Sequence, residues 1–373
     1  MFDLAVREDD WARADTLIRR KFPEQLPFDV RVTFAVRRGD TASLRQLRAE
    51  GARTAGVKGR RGDRALEAGW LLAAHLEELE LAEEFTRLSA RPSLPAATRA
   101  RAHLLLADLG VAGGRWTAAR RELAAAARLG EVDSALIGRA LAASLPLLGV
   151  PREETRRIRD EVERWSPGLD ASKPLPESIR PLAPHLRLYL LGLLSARSGE
   201  AAEALRLASA LEILPAPPES RTVVRSLART IRAHVAAESG RTNEGLTLLE
   251  EVRGAIPFEL LGLPYFSEEH ARYLRGRLLF QAGREEEALR LVENAFAGTP
   301  GELYYRGPAH LLQAEIHQRL GNREAAAEQY SRFIALWRSC DPPLRPVVEG
   351  ARTQLARMVA EPRQPGPSPP RGR

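Results

Sequence analysis

Residues 283–300 read GREEEALRLVENAFAGTP. The stretch carries no catalytic side chain; its information lies in spacing, a glycine followed by alanine five residues on and proline seventeen on. The glycine and the small residue after it recur as Gly114 with Ala119, Gly199 with Ala204, Gly240 with Gly245, Gly283 with Ala288 and Gly321 with Ala326. Seven residues before each glycine stands another small residue: Ala107, Gly192, Ala233, Gly276 and Ala314. Proline follows at the same distance in two copies, Pro257 and Pro300, and four residues later in the last, Pro342.

Helix geometry accounts for this pattern. A helix of three to four turns ends at the glycine, which tolerates the left-handed backbone that closes a helix. A second helix begins at once, and the flanking small residues sit where the two helices cross closely. Proline stops the second helix and turns the chain into the next pair. Between these marks apolar residues recur at helical spacing, as in Leu278, Leu279, Ala282, then Leu289, Val292, Phe296. No run alternates as a strand would.

Helix pairs with this signature resemble the tetratricopeptide repeat. The resemblance covers roughly residues 98–337, with Tyr330 four after Ala326 keeping an aromatic position that Val292 and Leu249 replace in other copies. Successive loop glycines from Gly199 to Gly321 are 41, 43 and 38 residues apart, so these repeats are degenerate and their connections long. The implied fold class is all-α, a right-handed superhelix of about eight antiparallel helix pairs. Segments 184–208, 264–289 and 306–358 are also similar to the C-terminal repeat region of bacterial serine/threonine protein kinases and related regulators. The catalytic signatures of such kinases (HRD, DFG, the glycine-rich ATP loop) and a helix-turn-helix are not found in the sequence. What the resemblance implies is therefore the repeat module, without the effector's activity.

The expected organisation runs as follows. Residues 1–97 form degenerate helical repeats, drawn through FDVRVTFAVRRGDTASLRQLRAEG and RALEAGWLLAAHLEELELAEEFTRL; residues 98–342 hold the clearer repeats, with a loop inserted at 166–184. Residues 343–361 form a capping helix, as a solenoid end requires, and 362–373 a disordered tail rich in proline and glycine. Gly51–Asp63 reads as another loop. Near the start, Ala14 stands five after Asp9, leaving only Met1–Arg7 for a first helix; the expectation is a protein that extends upstream.

Composition narrows the function. The chain of 373 residues is 44% hydrophobic, enough for a sizeable core, and has one cysteine, Cys340, which excludes an internal disulfide framework. No signal-peptide pattern opens it, and the longest apolar run, Leu188–Ala196, is too short to span a bilayer, so a cytoplasmic location is expected. The net charge of +7 comes almost wholly from arginine interleaved with Glu and Asp, a mixed-charge helix surface rather than a basic block. A nucleic-acid-binding repeat protein using that arginine-rich surface is the alternative reading.

The search for chemistry finds little. His310 and His317 share a helix face without an HExxH pattern, so no metal site is expected. GVKGRRGD at 56–63 lacks the order of a phosphate loop, and no cofactor is expected; Cys340 has no neighbouring histidine to activate it. The expectation is a non-catalytic scaffold or sensor module that binds a partner protein or peptide along the concave surface lined by the first helix of each pair. By register, that surface comprises Tyr189, Arg197, His270, Tyr273, Arg277, Phe280, Gln281, Glu315 and Arg319. Self-association is left open.

Overall fold

The computed structural model describes residues 28–54, 61–166, 180–250, 269–293 and 300–360, together with positions 13, 16, 17, 20 and 26. These residues form helices and turns, with no strand among them. The helices are α1 (Phe28–Arg37), α2 (Thr41–Thr54), α3 (Arg61–Leu71), α4 (Leu79–Ser89), α5 (Ala96–Ala112), α6 (Trp116–Arg128), α7 (Val132–Ser144) and α8 (Arg152–Arg164). They continue as α9 (Ala183–Arg197), α10 (Ala201–Ile213), α11 (Arg221–Glu238), α12 (Thr242–Glu250), α13 (Glu269–Gln281), α14 (Glu285–Val292), α15 (Pro300–Arg319), α16 (Arg323–Leu336) and α17 (Arg345–Ala360). The N-terminal repeat start, most of the 166–184 loop, Phe296, Pro257 and the tail lie outside the described residues.

The glycine-to-alanine spacing has a hydrogen-bond explanation. At Gly199 the glycine N–H donates to Ala196 O (3.1 Å) and the next N–H, of Glu200, reaches back to Ser195 O (2.9 Å), which satisfies the last carbonyls of α9. That paired closure needs φ near +83° at the glycine, a region side chains disfavour. Glu200 then caps the next helix, and its carbonyl accepts from Ala204, five residues after the glycine. The same bonds recur at Gly114, Gly240, Gly283 and Gly321, and also at Gly39 and Gly130. The α3–α4 turn departs from the rule: the chain widens into one turn of π-helix at Leu72–Leu76, and Glu77 takes the left-handed position with φ 58°.

Consecutive helices pack as neighbours, and odd-numbered helices also pack on the next odd one, from α1·α3 through to α13·α15. They form an inner layer, with the even-numbered helices outside it. The small residues make room within it, though partly for different neighbours than the crossing argument predicts. A methyl on Gly245 would lie 2.9 Å from Leu278 of α13 and 3.4 Å from Ala233 O of its own pair; one on Gly192 would lie 2.4 Å from Ile231 of α11, two helices on. Pro300 opens α15, where its missing N–H costs nothing.

The inner layer also closes. α15 packs against α5, about two hundred residues earlier in the chain. Trp337, after α16, is buried and donates from Nε1 to Ala112 O (2.9 Å), while Asp341 accepts from the Thr117 N–H (2.8 Å). One apolar core runs through the described residues, from Val32 to Ala351.

Candidate functional site

The candidate site is the inner face of α9, α11, α13 and α15, and the structure divides the nine residues placed there by register into two groups. Tyr189, His270 and Tyr273 are buried, at 3%, 7% and 3% exposure. Gln281, Glu315 and Arg319 are exposed, and Arg197, Arg277 and Phe280 half-buried, all toward the C-terminal ends of their helices. The first group belongs to the interior and the second to its rim.

Beside α5, α13 and α15 the interior is filled. The turn after α7 inserts Leu145, Pro146, Leu147 and Leu148 against Val111, Tyr273, Tyr304, Tyr305, Pro308 and Trp337, and the space left among them is about 10 Å³. That holds about one water. An extended peptide therefore has no room between α5, α13 and α15 at this depth, because the chain's own Leu-Pro-Leu-Leu segment occupies it. Arg197 ties that segment down from the rim, Nη2 donating to Pro146 O at 3.0 Å.

Beside the plug runs a row of buried polar rings. His234 Nδ1 and His270 Nε2 are 3.0 Å apart, and His270 Nδ1 lies 2.9 Å from Tyr305 Oη. The two imidazoles stack with centroids 5.2 Å apart, and Tyr305 also tilts against Tyr273 at 5.3 Å. Burial pushes His234 down to about 4, and the charges of Arg197 and Arg277 add to the shift. His270 falls well below the ordinary histidine range for the same first reason, with His234 and Arg277 contributing. Both rings are neutral at neutral pH. Burial likewise raises the Tyr273 phenol, with Arg277 pulling the other way.

At the rim, Arg319 lies over the Phe280 ring at 3.9 Å and bonds Phe280 O (3.1 Å) and Glu285 (3.0 Å). Glu315 reaches solvent, yet the protein around its carboxyl raises its pKa against the pull of Arg277 and Arg319. Arg277 and Glu315 make no hydrogen bond or ion pair with any other described residue. The two groups stand on adjacent inner helices, and the charge of Arg277 acts on Glu315.

Register reasoning missed His234 and Glu238. The signal was present: six residues before the turn glycine stand Asp108, His234, Arg277 and Glu315, and two before it Arg197, Glu238, Gln281 and Arg319. Selecting Arg277 and Glu315 by offset should have selected His234 as well. The closing contacts were not legible this way. Glu77 accepts from Arg306 (3.0 Å) and pairs with His310 Nε2 (2.7 Å), whose Nδ1 lies 2.6 Å from Gln329. Burial alone would raise the Glu77 carboxyl, but the His310 hydrogen bond and the charges of His310, Arg306 and Arg332 outweigh it and hold it low. Tyr304 donates to Asp108 at 2.6 Å, and burial raises Asp108 to about 7 against that bond.

Among the described residues no group of three His, Cys, Asp or Glu side chains could hold a metal ion, and no helix is long and apolar enough to cross a membrane. A scan against protein-family models found no match. A search of the curated proteins found none either.

Proposed function

We propose that this chain is a tetratricopeptide-like repeat module, a right-handed superhelix of antiparallel helix pairs without catalytic activity of its own, which binds a partner protein at the rim of its inner face. The repeated glycine closure with a new helix starting two residues on supports the repeat assignment. The observation that carries the binding assignment is the pair Arg277 and Glu315, charged, adjacent and without hydrogen-bond or ion-pair partners among the described residues. Such groups have no fixed hydrogen bond to give up and gain on meeting a complementary partner. Because the Leu145–Leu148 segment fills the space beside α13 and α15, the partner lies across the ends of the inner helices rather than deep between those two.

The test is capture from a lysate of the source cell after nuclease treatment and at high salt, with the wild-type chain and an Arg277→Ala/Glu315→Ala variant side by side. A protein held by the first and lost by the second supports the reading. Equal capture by both removes the rim from it, and recovery of nucleic acid alone, released by salt, replaces it with the arginine-surface reading.

A further inference from the structure

The row of rings from Tyr305 to His234 ends at a polar atom with nothing to bond. His234 is 2% exposed, its Nδ1 is engaged by His270, and its Nε2 has no hydrogen-bond partner among the described residues. A buried ring nitrogen left so forfeits a hydrogen bond that water would have given it. Two arginines stand on the helices that pack on either side of α11, Arg197 on α9 and Arg277 on α13. Arg277 follows His270 by seven residues on α13, so it shares that helix face; helical side chains lean toward the N-terminus, which carries its head back toward the imidazoles. Arg197 is five residues beyond Gly192, the point where α9 touches Ile231 of α11, and so stands level with the last turns of α11. Both arginines act electrostatically on His234. Arg277 is wholly without hydrogen-bond partners among the described residues, and Arg197 donates from Nη2 alone.

We propose that Arg197, His234 and Arg277 form a binding site for a phosphoryl group, free or carried on a side chain of the partner. The proposal rests on the rim as the binding surface and names the chemistry it takes. Three donors arrive from three helices, α9, α11 and α13. A tetrahedral dianion accepts from three directions at once, whereas a carboxylate presents its two oxygens in one plane and satisfies a single guanidinium fork. The row of rings responds without rearrangement: Tyr305 donates to His270 Nδ1, His270 Nε2–H to His234 Nδ1, and His234 Nε2–H to the ligand. Three carboxylates face this region. Glu238, on α11, is half-exposed with its Oε1 3.9 Å from His234 Nε2; Glu315 lies on α15; Glu269 is buried at the opposite end of α13. The arriving dianion displaces Glu238 into solvent, and Glu315 remains as the flanking acceptor that limits affinity.

Calorimetric titration of the full chain tests this, with inorganic phosphate, acetate at matched ionic strength, and a phosphoserine peptide beside its unphosphorylated form. Phosphate should bind and raise the melting temperature while acetate does neither. Arg277→Gln should weaken phosphate about ten-fold, the loss of one charge-assisted contact, and Glu238→Gln should tighten it about three-fold. In the nuclear magnetic resonance spectrum, phosphate should move the His234 imidazole nitrogens, a readout that stays informative if the arginine variant folds poorly. A phosphopeptide that binds more tightly than phosphate makes the partner the source of the group; equal affinities make it a free anion. No phosphate binding, or equal binding of acetate, overturns the site. Partner capture that persists in that event leaves the rim reading standing, whereas phosphate binding without rim-dependent capture overturns the partner reading alone.

Discussion

The joints between successive helices and the seam where α15, α16 and the turn after α16 return to the α3–α4 turn, α4, α5 and α6 are built from different materials. Along the chain the repeated joint, as at Gly199 and Gly283, is a glycine closed by two backbone bonds, with apolar side chains behind it. At the seam, side chains hydrogen-bond or ion-pair with groups more than two hundred residues away: Arg306 and His310 with Glu77, Arg338 Nε with Glu80 at 3.0 Å, Thr117 with Asp341, and Trp337 with a backbone carbonyl. Repeated joints tolerate degeneracy because each is specified locally and the others share the load. The seam depends on residues that occur once, so single changes there should have large effects.

Trp337 offers the largest. Its ring stacks near Phe333 with centroids 5.1 Å apart, and Gly307 gives way to it so closely that a Cβ there would sit 2.4 Å from Nε1. Trp337→Ala leaves a cavity and an unpaired Ala112 carbonyl, and should cost about 3–5 kcal/mol in denaturant unfolding. Gly307→Val should approach that loss by overpacking, whereas Gly283→Ala, at a joint with open space around it, should cost about 1 kcal/mol for its φ of +74°. Equal losses at Gly307 and Gly283 would erase the distinction between seam and joint.

The polar part of the seam can be broken separately. Glu77 and Arg306 side chains are 16% and 14% exposed, so Arg306→Met leaves a largely buried carboxylate with the His310 hydrogen bond and the more distant charge of Arg332, and should destabilise by about 2–3 kcal/mol. Cys340, buried within the seam beside Gly114, reports the location of the damage. Its thiol should react with a disulfide reagent at least about ten-fold faster in Arg306→Met, by the factor that 1.4 kcal/mol implies. A reactivity unchanged while global stability falls would mean that the loss lies elsewhere.

The sequence made the joints legible because glycine in a left-handed turn is a local requirement, visible at Gly114, Gly199, Gly240, Gly283 and Gly321 without knowing anything else about the fold. Gly130 with Ala135 carries the same signal and went unread, since Leu123 stands where a small residue was sought. Closure was not legible: nothing local in Glu77, Arg306 or Trp337 marks them as partners, and π-helical widening before Glu77 has no sequence signature here. Of the candidate site, register found the rim residues Arg277 and Glu315 but assigned Tyr189, His270 and Tyr273 to solvent. Burial of an inner-face residue depends on what fills the interior, and the plug at Leu145–Leu148 comes from a different part of the chain.

Acid sharpens the comparison by acting oppositely on the two regions. His234 is lowered from its ordinary 6.5 to about 4, so its stabilising contribution is complete above 6.5 and is lost as pH falls toward 4, by about 3 kcal/mol at most. Asp108, at the seam, is raised from 3.8 to about 7; its contribution is complete below 3.8 and is lost as pH rises toward 7. Asp108→Asn, which still accepts from Tyr304, should therefore stabilise the protein by about 1–2 kcal/mol at pH 8 and change little at pH 4. His234→Gln should flatten the acid limb of the stability profile while leaving the alkaline limb as it was. Parallel shifts of the whole profile in both variants would show that neither group titrates as its burial requires.

The smallest effect belongs to the rim. Arg319 covers Phe280 and pairs with Glu285, but its side chain is half-exposed and the contact is screened by water and salt. Arg319→Ala should cost only about 0.5–1 kcal/mol in unfolding. Removing the arginine should nonetheless uncover the Phe280 ring, which is half-buried beneath it, and so change what the rim presents to a partner. A stability loss as large as that of Arg306→Met would place Arg319 in the structural framework with the seam. A small loss joined to a measurable change in partner capture would place it on a surface whose charged groups are held weakly enough to be exchanged.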